Sequence, residues 1–178
     1  MFQDIAPHVL NNQNDKRRAP RNGDYVLIGR NQQVVLTMAG NLPSYEAVAK
    51  DWAFNGEQYR YLLATDDIAF YWVDVDATEK AGYQIGVTRS FRNLTPAWLG
   101  FGSATAAHLA WWDDTNRFCG HCGQPLHEGT TERSLVCDTC GQTIYPTIMP
   151  AIIVGVTHGD KLLMTKFLGG YDRYALIS

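Results

Sequence analysis

The chain has 178 residues, of which 46% are hydrophobic, 12% aromatic and 19% charged, and its formal net charge is −3. This composition is typical of a folded protein with one ordinary domain or two small ones. No apolar run reaches the roughly 18 residues of a membrane-spanning helix, and the first residues lack the basic and apolar regions of a secretory signal. We therefore expect a cytoplasmic protein whose overall charge attracts neither nucleic acid nor an anionic membrane.

The first two segments are a polar arm and an α/β domain. Residues 1–23 contain few core-forming side chains and are interpreted as a solvated N-terminal arm, although they include Lys16, Arg17 and Arg18. From 24 to 114, β-rich runs alternate with helical periodicity, which predicts an α/β domain. Its strands are expected over residues 25–28, 34–36, 59–64 and 68–75.

Two helices are predicted in this domain. Ser44 is a suitable N-cap for the first, which places Val48 on its apolar face. Ser103 is expected to cap the second, whose apolar face ends at Trp111 and Trp112. We interpret both tryptophans as packing residues and not as a platform for stacking.

The four cysteines form two pairs with the spacing of a metal site. Each pair encloses two residues, and fourteen residues separate the pairs. Without a secretory signal, this clustering favours metal over disulfides, and four thiolates fill the tetrahedron that Zn²⁺ prefers. We therefore predict a structural Zn²⁺ site in a ribbon over residues 115–146. Its ligands are Cys119, Cys122, Cys137 and Cys140.

The residues around the pairs agree with a metal site. Gly123 and Gly141 each follow a pair and allow a tight turn. Arg117 and Arg133 are close enough in sequence to offset part of the negative charge of a tetrathiolate site. A redox dithiol at the Cys-Gly-His-Cys sequence is the competing interpretation, but it would not require the second pair.

Residues 147–178 are interpreted as the start of a second, incomplete domain. An apolar run over 148–156 predicts a buried strand, and the turn at His158-Gly159-Asp160 predicts a hairpin with the strand that follows. A further strand is expected to run to Ser178.

Several motifs together resemble the NADH pyrophosphatase (NAD-capped RNA hydrolase) branch of the Nudix hydrolases. They are Phe118-Cys119-Gly-His-Cys122-Gly123, Cys137-x-x-Cys140, Tyr145-Pro146 and Pro150-Ala-Ile-Ile-Val154. The resemblance is specific from about residue 107 onward and loose before it. It implies an α/β (α+β) fold in which an N-terminal Nudix-like domain is followed by a zinc ribbon and a catalytic Nudix domain.

The resemblance implies cleavage of the pyrophosphate of NADH or NAD⁺ to NMN(H) and AMP, and removal of the NAD cap from RNA. The family uses Mg²⁺ or Mn²⁺ held by the glutamates of the Nudix box, and its members are typically homodimers. That box, G-x5-E-x7-R-E-x2-E-E-x-G, is absent from the 178 residues and is expected just after Ser178. We therefore assign no catalytic residue in this chain and expect it to be inactive alone.

The resemblance also implies substrate-binding residues. Tyr145 matches a family tyrosine that faces the nucleotide, and Glu132 matches an acidic substrate contact on the ribbon hairpin. Ser178 falls at the edge of the family's substrate pocket, and either Arg89 or Arg92 matches an arginine of the N-terminal domain. Two departures weaken the transfer of such contacts: Thr147 follows Tyr-Pro, and Ala39 precedes Gly40, where family members carry longer polar residues.

A non-catalytic zinc-ribbon module that binds nucleic acid or a protein is the alternative function. A ribbon that binds nucleic acid usually has a basic face. Between the cysteine pairs this chain has one arginine, Arg133, against Glu128 and Glu132, and this balance favours the hydrolase.

Overall fold

A computed structural model describes residues 2–170 and 172–176 of the chain. It forms two compact units, Met1–Pro146 and Thr147–Ser178. The combination of strands with few helices confirms the predicted mixed α/β class. Among the described residues, no helix is both long and apolar enough to cross a bilayer.

The larger unit contains a four-stranded sheet, a two-stranded sheet and the three-stranded sheet of the ribbon. Its strands are β1 (Leu10–Asn11), β2 (Tyr25–Ile28), β3 (Gln33–Thr37), β4 (Arg60–Thr65), β5 (Ile68–Val73), β6 (Tyr83–Val87), β7 (His127–Glu128), β8 (Leu135–Val136) and β9 (Thr143–Ile144). Its helices are α1 (Tyr45–Asp51) and α2 (Ala97–Thr115), with short 3-10 helices at Asn14–Lys16, Gly56–Gln58 and Thr88–Asn93.

The four-stranded sheet is covered by a helix on each face. Its strand order is β1-β4-β5-β2, with β2 parallel to β5 and the other neighbours antiparallel. Because successive side chains of a strand point to opposite faces, Phe70 and Trp72 join the core beneath α2, whereas Tyr71 and Val73 join the core that contains Val48 of α1. The strands predicted at 25–28, 34–36, 59–64 and 68–75 are present within a few residues.

The two helices differ in how well their starts were predicted. Ser44 caps α1 as expected, since its hydroxyl accepts a hydrogen bond from the backbone N–H of Ala47. The predicted cap at Ser103 is wrong, because α2 begins at Ala97, directly after Pro96, and Ser103 lies buried in its second turn. Small residues are needed there: a Cβ on neighbouring Gly102 would lie 2.7 Å from the ring of Phe70.

The polar N-terminal segment is packed against the sheet, so its interpretation as a solvated arm is wrong in part. Leu10–Asn11 forms the edge strand β1 beside β4. Arg18 donates two hydrogen bonds to the carboxylate of Asp24, which is only 1% exposed and also accepts from the backbone N–H groups of Arg21 and Ala69. Apart from apolar contacts such as that of Leu10 with the core, this packing consists largely of hydrogen bonds, which a polar sequence does not reveal.

We expect Arg18→Met to lower the free energy of unfolding by about 3 kcal/mol, because it leaves the Asp24 carboxylate buried without its guanidinium partner. Burial alone raises the pKa of Asp24, but the hydrogen bonds from Arg18, Ala69 and Arg21 outweigh it and hold the pKa below its ordinary value. The stabilisation is therefore present above the unfolded pKa of about 3.9 and is lost as pH falls through the lower folded pKa. Urea unfolding at pH 7 and pH 3 measures both effects.

Arg21→Met is the matched control, because the Arg21 guanidinium donates only to the exposed backbone oxygen of Asp67. Equal destabilisation by the two variants at pH 7 would contradict the role given to the Arg18–Asp24 pair.

Ion pairs join the α/β domain to the ribbon. Arg60 of β4 lies 2.6 Å from a carboxylate oxygen of Asp113 at the end of α2 and 2.6 Å from one of Glu128 in β7. Arg17 contacts the other oxygen of Glu128 at 3.0 Å. Arg133 of the ribbon donates to the backbone oxygen of Leu62 in β4. The orientation of the ribbon against the sheet is therefore fixed by guanidinium groups on both sides of the junction.

The carboxyl group of Asp113 makes this junction sensitive to pH. Burial raises the pKa of Asp113 to about 6, with a further contribution from Glu128, although the charge of Arg60 opposes the shift. Because the folded pKa lies above the unfolded value, the proton stabilises the fold below about pH 4, and this contribution disappears as pH rises through 6. We expect the free energy of unfolding to fall by about 2 kcal/mol over that range.

Asp113→Asn should remove this decline, as measured by urea unfolding between pH 4 and pH 8. Asp114→Asn is the control, because Asp114 pairs with Arg117 and not with Arg60. A decline that persists in Asp113→Asn would show that another group causes it.

The smaller unit contains two short hairpins. They pair β10 (Thr157–His158) with β11 (Lys161–Leu162), and β12 (Thr165–Lys166) with β13 (Tyr174–Ala175). The predicted turn is present, with Gly159 in the left-handed region at φ +61°. The predicted buried strand over 148–156 is wrong for this structure, since Ile152 and Ile153 are 72% and 71% exposed. Such a strand needs sheet neighbours and covering layers, which the described residues of this unit do not supply.

Candidate functional site

Each cysteine pair of the ribbon lies on a turn with the same backbone design. In the first turn the N–H of Cys119 donates to Gln124 and the N–H of Gly123 donates to Cys119. In the second, Cys137 and Gly141 repeat the pattern. Both glycines have φ +74°, a left-handed conformation that side chains disfavour. The repeated Cys-x-x-Cys-Gly-Gln sequence therefore folds twice into the same knuckle.

The two knuckles bring the four sulfur atoms to one point. All four lie within 4.8 Å of one another, and the pairs Cys119–Cys140 and Cys122–Cys137 are separated by 3.6 and 3.4 Å. These separations are far longer than a disulfide bond and close to the edge of about 3.8 Å of a tetrahedron with Zn–S bonds of 2.3 Å. The donor set therefore fits Zn²⁺ held by the four predicted cysteines, as a structural ion that crosslinks the two knuckles.

The backbone of the knuckles favours thiolates. The N–H groups of Cys122 and His121 lower the pKa of the Cys119 thiol to about 6. The N–H of Cys140 lowers the pKa of Cys137 in the same way. Since the thiolate is the form that binds metal, these amides favour the metal-binding form of Cys119 and Cys137, whereas the pKa values of Cys122 and Cys140 are raised beside the other thiols. The convergence of both pairs also removes the reason for interpreting Cys-Gly-His-Cys as an independent redox dithiol.

Arg117 and Arg133, which were predicted to offset part of the charge of the site, hydrogen-bond to other groups, and their effect on the charge of the site stays a prediction. Arg117 bonds to Asp74 and Asp114, and Arg133 bonds to backbone oxygens of the α/β domain. Both guanidinium groups are therefore used to hold the ribbon in place. Proximity to the cysteines in sequence did not reveal this, because Asp74 and Leu62 are more than 40 residues away along the chain.

Glu132 and Tyr145, two of the expected substrate-binding residues, lie together on the ribbon. The hydroxyl of Tyr145 donates to a carboxylate oxygen of Glu132 at 2.8 Å. This hydrogen bond raises the pKa of Tyr145. The Tyr145 side chain is 51% exposed, so its ring is not buried in support of the ribbon. The pair presents an aromatic surface and a carboxylate side by side to the solvent.

Arg89 and Arg92, the alternative arginines, are both exposed on the 3-10 helix Thr88–Asn93. They line an open pocket of about 360 Å³ together with His108 and Trp111 of α2. Trp112 is buried, as expected for a packing residue, whereas Trp111 is 42% exposed and packs only in part.

The sequence contained a signal for this pocket, because 104, 107, 108 and 111 share one face of a helix. The helix predicted from Ser103 contains all four positions, and the face was missed because Trp111 was interpreted as a packing residue. Ser178, the remaining expected substrate residue, lies outside the described residues.

Comparisons with known proteins agree with the geometry of the ribbon. Residues 114–145 match the family model for the NADH pyrophosphatase zinc ribbon domain. A 61-residue stretch is 43% identical to the NAD-capped RNA hydrolase NudC of Stutzerimonas stutzeri (strain A1501) and to that of Pseudomonas putida (strain W619). It covers 34% of this chain but only 22% of each of these relatives.

The four-cysteine domain is therefore a zinc ribbon of the NADH pyrophosphatase type. The ribbon match and the similarity to these hydrolases agree with the motifs found in the second half of the sequence.

We expect the purified chain to contain one tightly held zinc ion and Cys137→Ser to lose it, because a serine hydroxyl does not replace a thiolate at neutral pH. Zinc binding contributes folding free energy on the order of 10 kcal/mol in such sites. Chelation should therefore unfold the ribbon and leave the sheet of β1, β2, β4 and β5 protected. Elemental analysis and amide hydrogen exchange measure these outcomes.

His121→Ala is the control, because His121 is exposed and lies outside the cluster of metal-binding atoms. Loss of zinc from His121→Ala, or its retention in Cys137→Ser, would contradict the ligand set.

Proposed function

We propose that this chain is the N-terminal and zinc-ribbon part of a Nudix hydrolase that cleaves NADH or NAD⁺ to NMN(H) and AMP, with NAD-capped RNA as a further substrate. The observation that carries this proposal is the Glu132–Tyr145 pair, formed by two residues that the family resemblance assigns to the substrate. The relatives named NAD-capped RNA hydrolase support the same reaction class.

The pair offers two complementary contacts to a nucleotide. The exposed ring of Tyr145 provides a flat surface for a base or for nicotinamide. The second carboxylate oxygen of Glu132 has no hydrogen-bond partner among the described residues, so it is available to accept from a sugar hydroxyl. The hydrogen bond between the two side chains fixes the ring and the carboxylate relative to each other. In this proposal the ribbon binds and orients substrate, and the Zn²⁺ ion preserves the ribbon's shape.

The 178 residues contain no Nudix box, so this proposal assigns the chemical step to the family's catalytic domain. There, glutamates would hold Mg²⁺ or Mn²⁺ to neutralise charge developing on the pyrophosphate. The 178-residue chain should hydrolyse no NADH by itself. We further propose a homodimer, as the resemblance implies, which light scattering of the zinc-loaded chain would test.

We expect the zinc-loaded chain to bind NADH. Tyr145→Ala should lower the affinity for NADH roughly tenfold, because the contact with the aromatic ring is lost. Tyr145→Phe and Glu132→Gln should each lower the affinity for NADH a few-fold, which is the effect expected from the loss of one hydrogen bond. Titration calorimetry with NADH, in the presence and absence of a zinc chelator, measures these constants. Chelation should abolish binding, because it unfolds the ribbon that carries both residues.

Phe118→Ala is the matched control, since it also removes an exposed aromatic ring from the ribbon but leaves the pair intact. The proposal fails if zinc-loaded chain has no affinity for NADH, or if Tyr145→Ala binds NADH as the unaltered chain does.

A further inference from the structure

The pocket beside α2 has two walls of different chemistry. One wall is the helix face formed by Ala104, Ala107, His108 and Trp111, and the other is the 3-10 helix that carries Arg89 and Arg92. The two alanines leave room that larger side chains would occupy. We call this pocket the α2 groove.

The α2 groove contains the unpartnered guanidinium groups of the larger unit. Arg89 and Arg92 form no hydrogen bond or ion pair with any residue that the structure describes. Every other arginine between residues 2 and 146 has a partner. These are Arg17, Arg18, Arg21, Arg30, Arg60, Arg117 and Arg133. Because both guanidinium groups are exposed and held by no protein group in the described part of the chain, they are free to pair with an anion from outside the unit.

The opposite wall provides an aromatic surface. Trp111 is 42% exposed, whereas Trp72 and Trp112 are 1% and 7% exposed. The imidazole of His108 lies beside the indole, with the ring centroids 6.5 Å apart. An indole held at the rim of a pocket provides a face on which a planar group can stack. The groove therefore combines an anion site with a stacking site.

The size and charge of the groove indicate which class of ligand it can bind. Its volume of about 360 Å³ lies within the range of small-molecule sites. Its lining contains no carboxylate, which disfavours a cationic ligand. Guanidinium groups bind phosphate oxygens in a fork, and every nucleobase has a face that stacks on an aromatic ring. An acidic protein segment would satisfy the arginines but would leave the indole without a planar partner.

We propose that the α2 groove binds a phosphate–base step of single-stranded RNA, namely of the RNA chain that follows the NAD cap. This inference rests on the proposed function, because it identifies how the capped substrate is held beyond its dinucleotide. Arg89 and Arg92 contact backbone phosphates, and Trp111 stacks on a base. The interaction does not depend on base identity, since neither a phosphate contact nor stacking requires a particular sequence.

Fluorescence anisotropy of a labelled single-stranded RNA 8-mer with the zinc-loaded chain tests the proposal. Trp111→Ala should weaken RNA binding roughly tenfold, and Trp111→Phe should restore most of the loss. For two phosphate contacts, a plot of the logarithm of the RNA association constant against the logarithm of the salt concentration has a slope of about −1.4. Arg92→Gln should remove one contact and so reduce the magnitude of this slope by about 0.7. Lys50→Gln is the matched charge control, because Lys50 is exposed on α1, which covers the other face of the sheet.

A parallel titration with NADH separates this inference from the proposed function. If Trp111→Ala lowers the affinity for RNA at least five times more than the affinity for NADH, the result supports the groove as an RNA site. Equal losses for RNA and NADH would assign the groove to the dinucleotide and overturn the inference. If the chain binds NADH but not RNA, the inference is overturned and the proposed function stands. If the chain binds RNA but not NADH, the proposed function is contradicted.

Competition with a polyglutamate peptide tests the acidic-protein alternative. If the peptide displaces RNA as well as unlabelled RNA does, and Trp111→Ala does not change this, the groove binds an acidic protein and the inference is overturned.

Discussion

The convergence of four thiolates on one metal ion is the constraint on which the ribbon depends. Between and around the cysteine pairs the chain forms two-residue strands, and few of its side chains are buried. Such a segment gains too little from apolar burial to offset its loss of conformational entropy. One metal ion held by the two knuckles supplies the missing stabilisation, because the crosslink fixes both turns and the sheet between them. The positions of Glu132 and Tyr145 therefore depend on the metal, although neither residue binds it.

The position of the ribbon against the α/β domain depends on a second set of interactions. Arg17, Arg60 and Arg133 connect β4, the end of α2 and the ribbon through Glu128, Asp113 and backbone oxygens. Charged groups suit such a junction, because a guanidinium fork fixes direction as well as distance. They also make the junction sensitive to pH, since Asp113 is buried beside a second carboxylate. The metal determines the internal shape of the ribbon, and the arginines determine where Glu132 and Tyr145 lie against the α/β domain.

The sequence predicted features that depend on local chemistry. The cysteine spacing identified the metal ligands, Ser44 identified the start of α1, and β-rich runs identified the strands of the main sheet. Features that depend on distant partners were missed. Arg117 bonds to Asp74 and Arg133 to Leu62, both far away in sequence, and much of the packing of residues 1–23 consists of hydrogen bonds that leave no apolar pattern. The start of α2 was missed because Ser103 resembles a cap but is a small residue at a close contact between helix and sheet.

The length of α2 has a mechanical consequence. The helix runs without a break from the buried Leu99 through Trp111 to Thr115, and Cys119 follows four residues later. With a rise of 1.5 Å per residue, Trp111 and the end of the helix are only about 6 Å apart along its axis. The rim of the groove is therefore about one helical turn from the segment that leads to the first knuckle. The metal site and the groove, although they belong to different parts of the fold, are close neighbours along the chain.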